Sequence, residues 1–178
     1  MSLYFIAVVP HKELRQKARV FSKYFADRFN SIKSFENFPH ITLIKPFHYD
    51  ENQEGILVEN FSEMKLKSAP FEVVLKSFGC FPNKEKPVIF IKPENSTELQ
   101  SLYDEVQPNM KFHSYAKLTP HLTVAYKDLS TENFQIAWQE YQTKTFEDFF
   151  LVDKICLFKH ENNKWNLLRI KYLKPELF

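Results

Sequence analysis

Glycine is almost missing from this chain. Only Gly55 and Gly79 occur in 178 residues, and neither stands in a GxGxxG or GxxxxGK context. A dinucleotide fold or a phosphate-cradling loop built on clustered glycines is therefore not expected. Cysteine is equally scarce: Cys80 and Cys156 show neither CxxC nor metal-type spacing, do not make a disulfide scaffold, and read as core residues. Charge of one sign is lacking too, since 24 Lys and Arg against 22 Asp and Glu leave a formal net charge of +2. That is too little for a broad nucleic-acid-binding surface, although a local anionic site remains open. Long hydrophobic runs are absent. LYFIAVV, near the N-terminus, spans seven residues with no basic segment before it, which does not make a signal peptide, and no run is long enough to cross a bilayer. The expectation is a soluble, cytoplasmic, monomeric protein without a membrane partner.

What is abundant is aromatic. Nineteen Phe and eight Tyr supply much of a 44% hydrophobic content, with charged residues at 26%, a globular composition. The length suits one substantial domain or two small lobes sharing a core. LYFIAVV predicts a strand ended by Pro10, and Leu14, Ala18, Phe21, Phe25 and Phe29 recur at helical spacing over residues 11 to 29. SIKSFENF reads as a polar connection into the strand HITLIK, closed by Pro46. Leu57, Phe61 and Met64 suggest a short helix; FEVVLKSFGCF and PVIFIK suggest two strands around PNKEK. Helical spacing returns at Leu99, Leu102, Val106 and Met110, with Asn95 and Glu98 as a capping pair. After the strand HLTVAY, Ser130 or Thr131 would cap a helix anchored by Phe134, Ala137, Trp138 and Tyr141. FFLVDKICLFKH and WNLLRIKYL then make a hairpin around ENNK.

This order repeats. Strand, helix, PHIT strand, helix and hairpin are followed by strand, helix, PHLT strand, helix and hairpin, with PVIFIK shared between the units. Two copies are too few, and too long, for a solenoid. One domain over residues 1–178 is expected, made of two intertwined repeats of approximately 1–92 and 86–178, with no flexible linker between them. The fold class is α/β (α+β), two similar lobes facing each other.

Each repeated strand places a histidine and a threonine on one face by alternation: His40 with Thr42, and His121 with Thr123. Either pair alone reads equally well as polar residues satisfied in an aromatic core. Both pairs, at equivalent places and each behind a proline, point to chemistry. Imidazoles titrate near neutrality, so one removes a proton while the other donates one. Two hydroxyls supply hydrogen bonds to the nonbridging oxygens of a phosphate. The reaction class is in-line opening of a phosphodiester, especially one strained in a ring.

Pro39-His40-Ile41-Thr42-Leu43 and Pro120-His121-Leu122-Thr123-Val124 resemble the paired HxTx signatures of the 2H phosphoesterase superfamily, in its branch of RNA 2',3'-cyclic phosphodiesterases and 2'-5' RNA ligases. The resemblance implies two lobes with antiparallel or mixed sheets flanking a central cleft, helices on the outer faces, and motifs facing across the cleft. It implies acid/base roles for His40 and His121, phosphate-holding roles for Thr42 and Thr123, and no cofactor. Which histidine is acid and which is base stays open. The implied partner is a cyclic phosphate nucleotide or a short RNA end, with 2'-5' ligation as a related activity. The alternative of another class is a noncatalytic nucleotide- or RNA-end-binding protein.

Around the motifs, Lys45 and Tyr126 each lie five residues beyond their histidine. Alternation points both away from the histidine face, unless Pro46 turns Lys45 back toward phosphate; Tyr126 is a base-stacking candidate. His113, Tyr115 and Lys117 in HSYAKLTPH, and Phe47 with His48, are candidate rim residues. No metal site is expected, since no HExxH or compact Cys/His cluster occurs. His11 and His160 read as solvated element ends.

Overall fold

The computed structural model describes residues 1–94, 97–110 and 117–174. β1 (Ser2–Val8) is apolar without alternation because it is buried on both faces. Tyr4, Ile6 and Val8 enter the main core, whereas Phe5 and Ala7 join a smaller cluster with Cys156 and Phe158 on the other side. α1 (Lys12–Phe29) lays Leu14, Ala18, Phe25 and Phe29 into the main core and ends at Asn30, whose left-handed φ of 55° lets its N–H reach the Phe25 carbonyl. The polar connection SIKSFENF contains a single helical turn, α2 (Lys33–Glu36), ahead of β2 (Ile41–Tyr49). There follow α3 (Glu54–Glu63), β3 (Phe71–Phe81), β4 (Val88–Pro93), α4 (Thr97–Val106), β5 (Leu122–Ala125), α5 (Thr131–Tyr141), β6 (Glu147–Val152), β7 (Lys154–Glu161) and β8 (Lys164–Tyr172). Ser130 is the cap of α5, its hydroxyl accepting from the Asn133 N–H. Asn95, proposed as a cap for α4, lies outside the described residues.

The strands form one sheet in the order β6-β3-β4-β5-β2-β1-β7-β8, every pairing antiparallel. Its two halves, β2-β1-β7-β8 and β5-β4-β3-β6, meet at β2 and β5 through the pair Ile41 and Leu122. The chain crosses this seam repeatedly. The β3–β4 hairpin, which follows β2, lies beside β5; the C-terminal β7–β8 hairpin lies beside β1. α1 packs on β5 and β6, and α3 on β8. Helices and sheet enclose the main core, leaving the smaller aromatic cluster on the opposite face. Among the described residues no helix is long and apolar enough to cross a membrane.

Two local expectations are corrected. Pro46 does not close the second strand: β2 runs on to Tyr49. The pairing with β1 jumps from Tyr4–Phe47 to Ile6–Ile44, so Pro46 sits at a bulge, where no ladder N–H is demanded of it. FFLVDKICLFKH is not one strand but two, broken at Asp153. β6 pairs with β3 and β7 with β1, in opposite halves of the sheet. The β7–β8 turn forms at Asn162 and Asn163, both at positive φ, 51° and 60°, as a tight hairpin turn requires.

Candidate active site

His40 and His121 each occupy the residue immediately before a strand, at the two sides of the seam. The two environments match. The His40 ring lies 4.9 Å from Phe5 of β1 and 4.9 Å from Phe38. The His121 ring lies 5.0 Å from Phe81 of β3 and 5.3 Å from Phe90 of β4. In both cases Nδ1 is within hydrogen-bond distance of a carbonyl two residues back, Phe38 at 2.8 Å and Thr119 at 2.6 Å. A carbonyl only accepts, so Nδ1 carries the hydrogen and donates it. Each neutral ring therefore keeps its lone pair on Nε2, the nitrogen left for chemistry.

Aromatic enclosure disfavours the charged imidazole. Burial pushes His40 down to about 4, against the opposing effect of the Phe38 carbonyl, with a further depression from His121 across the seam. Burial also lowers His121, opposed by the Thr119 carbonyl and assisted by the charge of Lys45.

The motifs open onto two adjoining cavities. One, of about 130 Å³, is lined by His40, Thr42, Thr123 and Tyr126, with Ser34, Asn37, Lys127 and the aromatic wall of Phe5, Phe38 and Trp165. The other, of about 330 Å³, is lined by His121, Thr42, Lys45 and Lys117, with Phe81 and Tyr103. Thr42 and Pro46 belong to both. The structure thus brings together His40, His121, Thr42, Thr123, Lys45, Tyr126 and Lys117.

Neither Lys45 nor Tyr126 follows the strand alternation expected of it. The β2 bulge at Lys45 and Pro46 breaks the phase of the strand, and Lys45 lines the His121 cavity. β5 ends at Ala125, so Tyr126 is free of strand phase and turns into the His40 cavity. Its hydroxyl accepts from Asn37 Nδ2 at 2.8 Å, and burial with the nearby Asp128 carboxylate raises its pKa. Asp128 also fixes α2: its carboxylate accepts from the Ile32 and Lys33 N–H groups at 2.8 and 2.9 Å and from Ser31 Oγ at 3.0 Å.

The rim assignments divide. His113 and Tyr115 lie outside the described residues. Phe47 is core, 7% exposed and 6.0 Å from Tyr4, and His48 is exposed but lines neither cavity. His160 is half-buried, its ring 4.9 Å from Trp165, rather than a solvated end. Among the described residues no group of three or more His, Cys, Asp or Glu could hold a metal ion.

Sequence reasoning missed Ser34, Asn37, Lys127 and the wall of Phe5, Phe38 and Trp165. Ser34 is 8% exposed, and its Oγ has no hydrogen-bond partner among the described residues while lining the His40 cavity. A buried hydroxyl left unpaired is costly and suits a ligand atom. Only the unexplained aromatic surplus signalled the wall.

Residues 10–164 match the 2'-5' RNA ligase superfamily. A Bacillus cytotoxicus protein with a provisional phosphoesterase name is 28% identical over 169 residues, 91% of each chain. An RNA 2',3'-cyclic phosphodiesterase of Thermotoga maritima is 26% identical over 125 residues, 67% of each chain. Among solved structures, E. coli LigT complexed with 3'-AMP superposes with a TM-score of 0.62 at 14% identity, over 97% of this chain and 98% of that one. A Thermus thermophilus protein superposes with a TM-score of 0.63 at 17% identity, over 99% of this chain and 100% of the other.

Proposed function

The chain belongs to the 2'-5' RNA ligase superfamily, within the 2H phosphoesterases, and on that premise we propose that it opens 2',3'-cyclic phosphates of nucleotides or RNA ends by paired imidazole acid/base catalysis without a metal. One observation carries the reading. Two histidines, each locked by the carbonyl two residues back, keep Nε2 for adjoining cavities that share Thr42. The Thermotoga maritima relative is named for this activity, and E. coli LigT has been crystallised with 3'-AMP, phosphate and ATP.

The deeper depression of His40 supports it as base, with His121 as acid. His40 Nε2 takes a proton from water as the water oxygen bonds to phosphorus. The bond from phosphorus to one ribose oxygen breaks, and that oxygen receives the proton of His121 Nε2. The product is a phosphate monoester beside a free hydroxyl. Thr42 and Thr123 donate to the nonbridging oxygens, and Lys45 and Lys117 add positive charge on the His121 side. A 5' hydroxyl in place of water would make a 2'-5' linkage by the same proton transfers, which is the ligase reading of this site.

The experiment is turnover of nucleoside 2',3'-cyclic phosphates in excess chelator. His40→Ala and His121→Ala should each lower kcat by about 10²-fold or more with the fold retained. Full activity in either variant overturns the pair. Tight binding of cyclic phosphate with no turnover in the intact protein makes this a binding module.

A further inference from the structure

The His40 cavity does not end at its aromatic wall. Phe38 and Trp165 are also part of a trough of about 610 Å³ that continues beyond them. Its floor is the smaller apolar cluster: Val9 just past β1, Cys156 and Phe158 of β7, and Ile170 of β8. The floor is continuous with the wall, since Phe158 stacks on Phe5 at 5.0 Å and meets Phe38 in a tilted contact at 4.8 Å. Leu151 and Leu167 flank it, 58% and 52% exposed although large and apolar. From Phe38 and Trp165 the trough runs to Val9, Pro10 and His11, just past the end of β1. Its volume leaves room for a further nucleotide beside the reacting one.

The far end is cationic. Arg15 of α1 and Lys154 of β7 line it together with His11. The Lys154 ammonium lies 3.2 Å from the carboxylate of Asp153, which lines the trough as well, so its charge is partly compensated. Arg15 differs. Its Nε is buried with no hydrogen-bond partner among the described residues. A guanidinium N–H held out of water without an acceptor is a destabilised donor, and a phosphate oxygen is the acceptor that its planar fork fits best. An apolar floor with aromatic neighbours suits a base, and a cation lining the same trough suits the phosphate that joins it to the next.

We propose that this trough is a second nucleotide subsite, which takes the residue on the 5' side of the cyclic phosphate, so that the preferred substrate is an RNA end and not a free mononucleotide. This rests on the cyclic phosphodiesterase reading above. In it, Arg15 binds a substrate phosphate remote from the reacting one, and the strand leaves the active site past Phe38 and Trp165.

The test compares kcat/KM for a nucleoside 2',3'-cyclic phosphate with that for a trinucleotide ending in the same group. The ratio of trinucleotide to mononucleotide should be at least about tenfold, as one stacked base and one phosphate contact provide. It should fall severalfold in Arg15→Gln and on raising salt from about 50 to 200 mM, and should hold in Lys12→Gln, which removes an exposed cation of the same helix outside the trough. A ratio near one, or one that Arg15→Gln leaves in place, overturns the subsite while the phosphodiesterase reading stands. If neither substrate turns over, that reading fails and the subsite is judged by fluorescence anisotropy of a 3'-phosphorylated trinucleotide. Weaker binding in Arg15→Gln than in Lys12→Gln supports it, and equal binding in both refutes it.

Discussion

Acidification should unfold this protein through His40 in a measurable way. The ring is held neutral inside an aromatic slot, with a folded pKa of about 4, whereas an unfolded chain titrates its histidine near 6.5. Between those values the unfolded state binds more protons, so the neutral slot contributes stability above about 6.5 that is lost as pH falls toward 4. Going from pH 7 to pH 4, the difference between the two pKa values corresponds to a loss of about 3 kcal/mol from this one residue. His40→Asn isolates it, because an amide placed at the ring's Nδ1 still donates to the Phe38 carbonyl but does not titrate. Urea unfolding at pH 7 and pH 4 is the assay. The intact protein should lose about 3 kcal/mol more than the variant between the two conditions; carboxylates held low by their partners, Glu54 and Asp148 among them, cancel in the comparison. Superposable pH dependences, or a His40 proton resonance titrating at 6 or above, would refute the burial argument and the assignment of His40 as base.

The same two shifts place the optimum of kcat/KM on the acid side of neutrality. One ring must be neutral and the other charged, which holds between about 4 and the depressed value of His121. Lys45→Met should raise the proton affinity of His121 and carry the alkaline limb to higher pH; a limb that stays put removes Lys45 from the electrostatics of the site. Gly79→Ala would put its Cβ 2.6 Å from the Phe90 ring, which leans on His121, so a loss of about 1–3 kcal/mol in urea unfolding should accompany impaired turnover. Asp128→Ala removes the acceptor of two backbone N–H groups at the start of α2 and should cost about 1–2 kcal/mol; an unchanged urea midpoint would show that water replaces the carboxylate there.

Much of this was written in the letters. The duplicated HxT strands, the helix carrying Leu14 to Phe29, and the capped helix after Ser130 follow from period and turn chemistry alone, which are local properties. What was not legible depends on contacts between segments remote in sequence. Nothing in FFLVDKICLFKH says that Asp153 divides two strands bound for opposite halves of the sheet, because both pieces are equally apolar and β-prone. The turn of Lys45 into the cleft needs a bulge that exists only in register with β1. Ser34 becomes notable only when α2, pinned by a carboxylate 94 positions further along at Asp128, closes over the His40 cavity.

The identical carbonyl locks on the two imidazoles have a consequence for the rhythm of the proposed reaction. Each cycle ends with the charges reversed: the ring that began empty holds a proton, and the one that began loaded has given its own away. Since neither ring is able to flip without breaking its lock, solvent must restore the starting arrangement between cycles. The protein that releases product is thus a different protonic isomer from the one that bound substrate, and buffer species, as carriers of that restoration, become reactants in their own right.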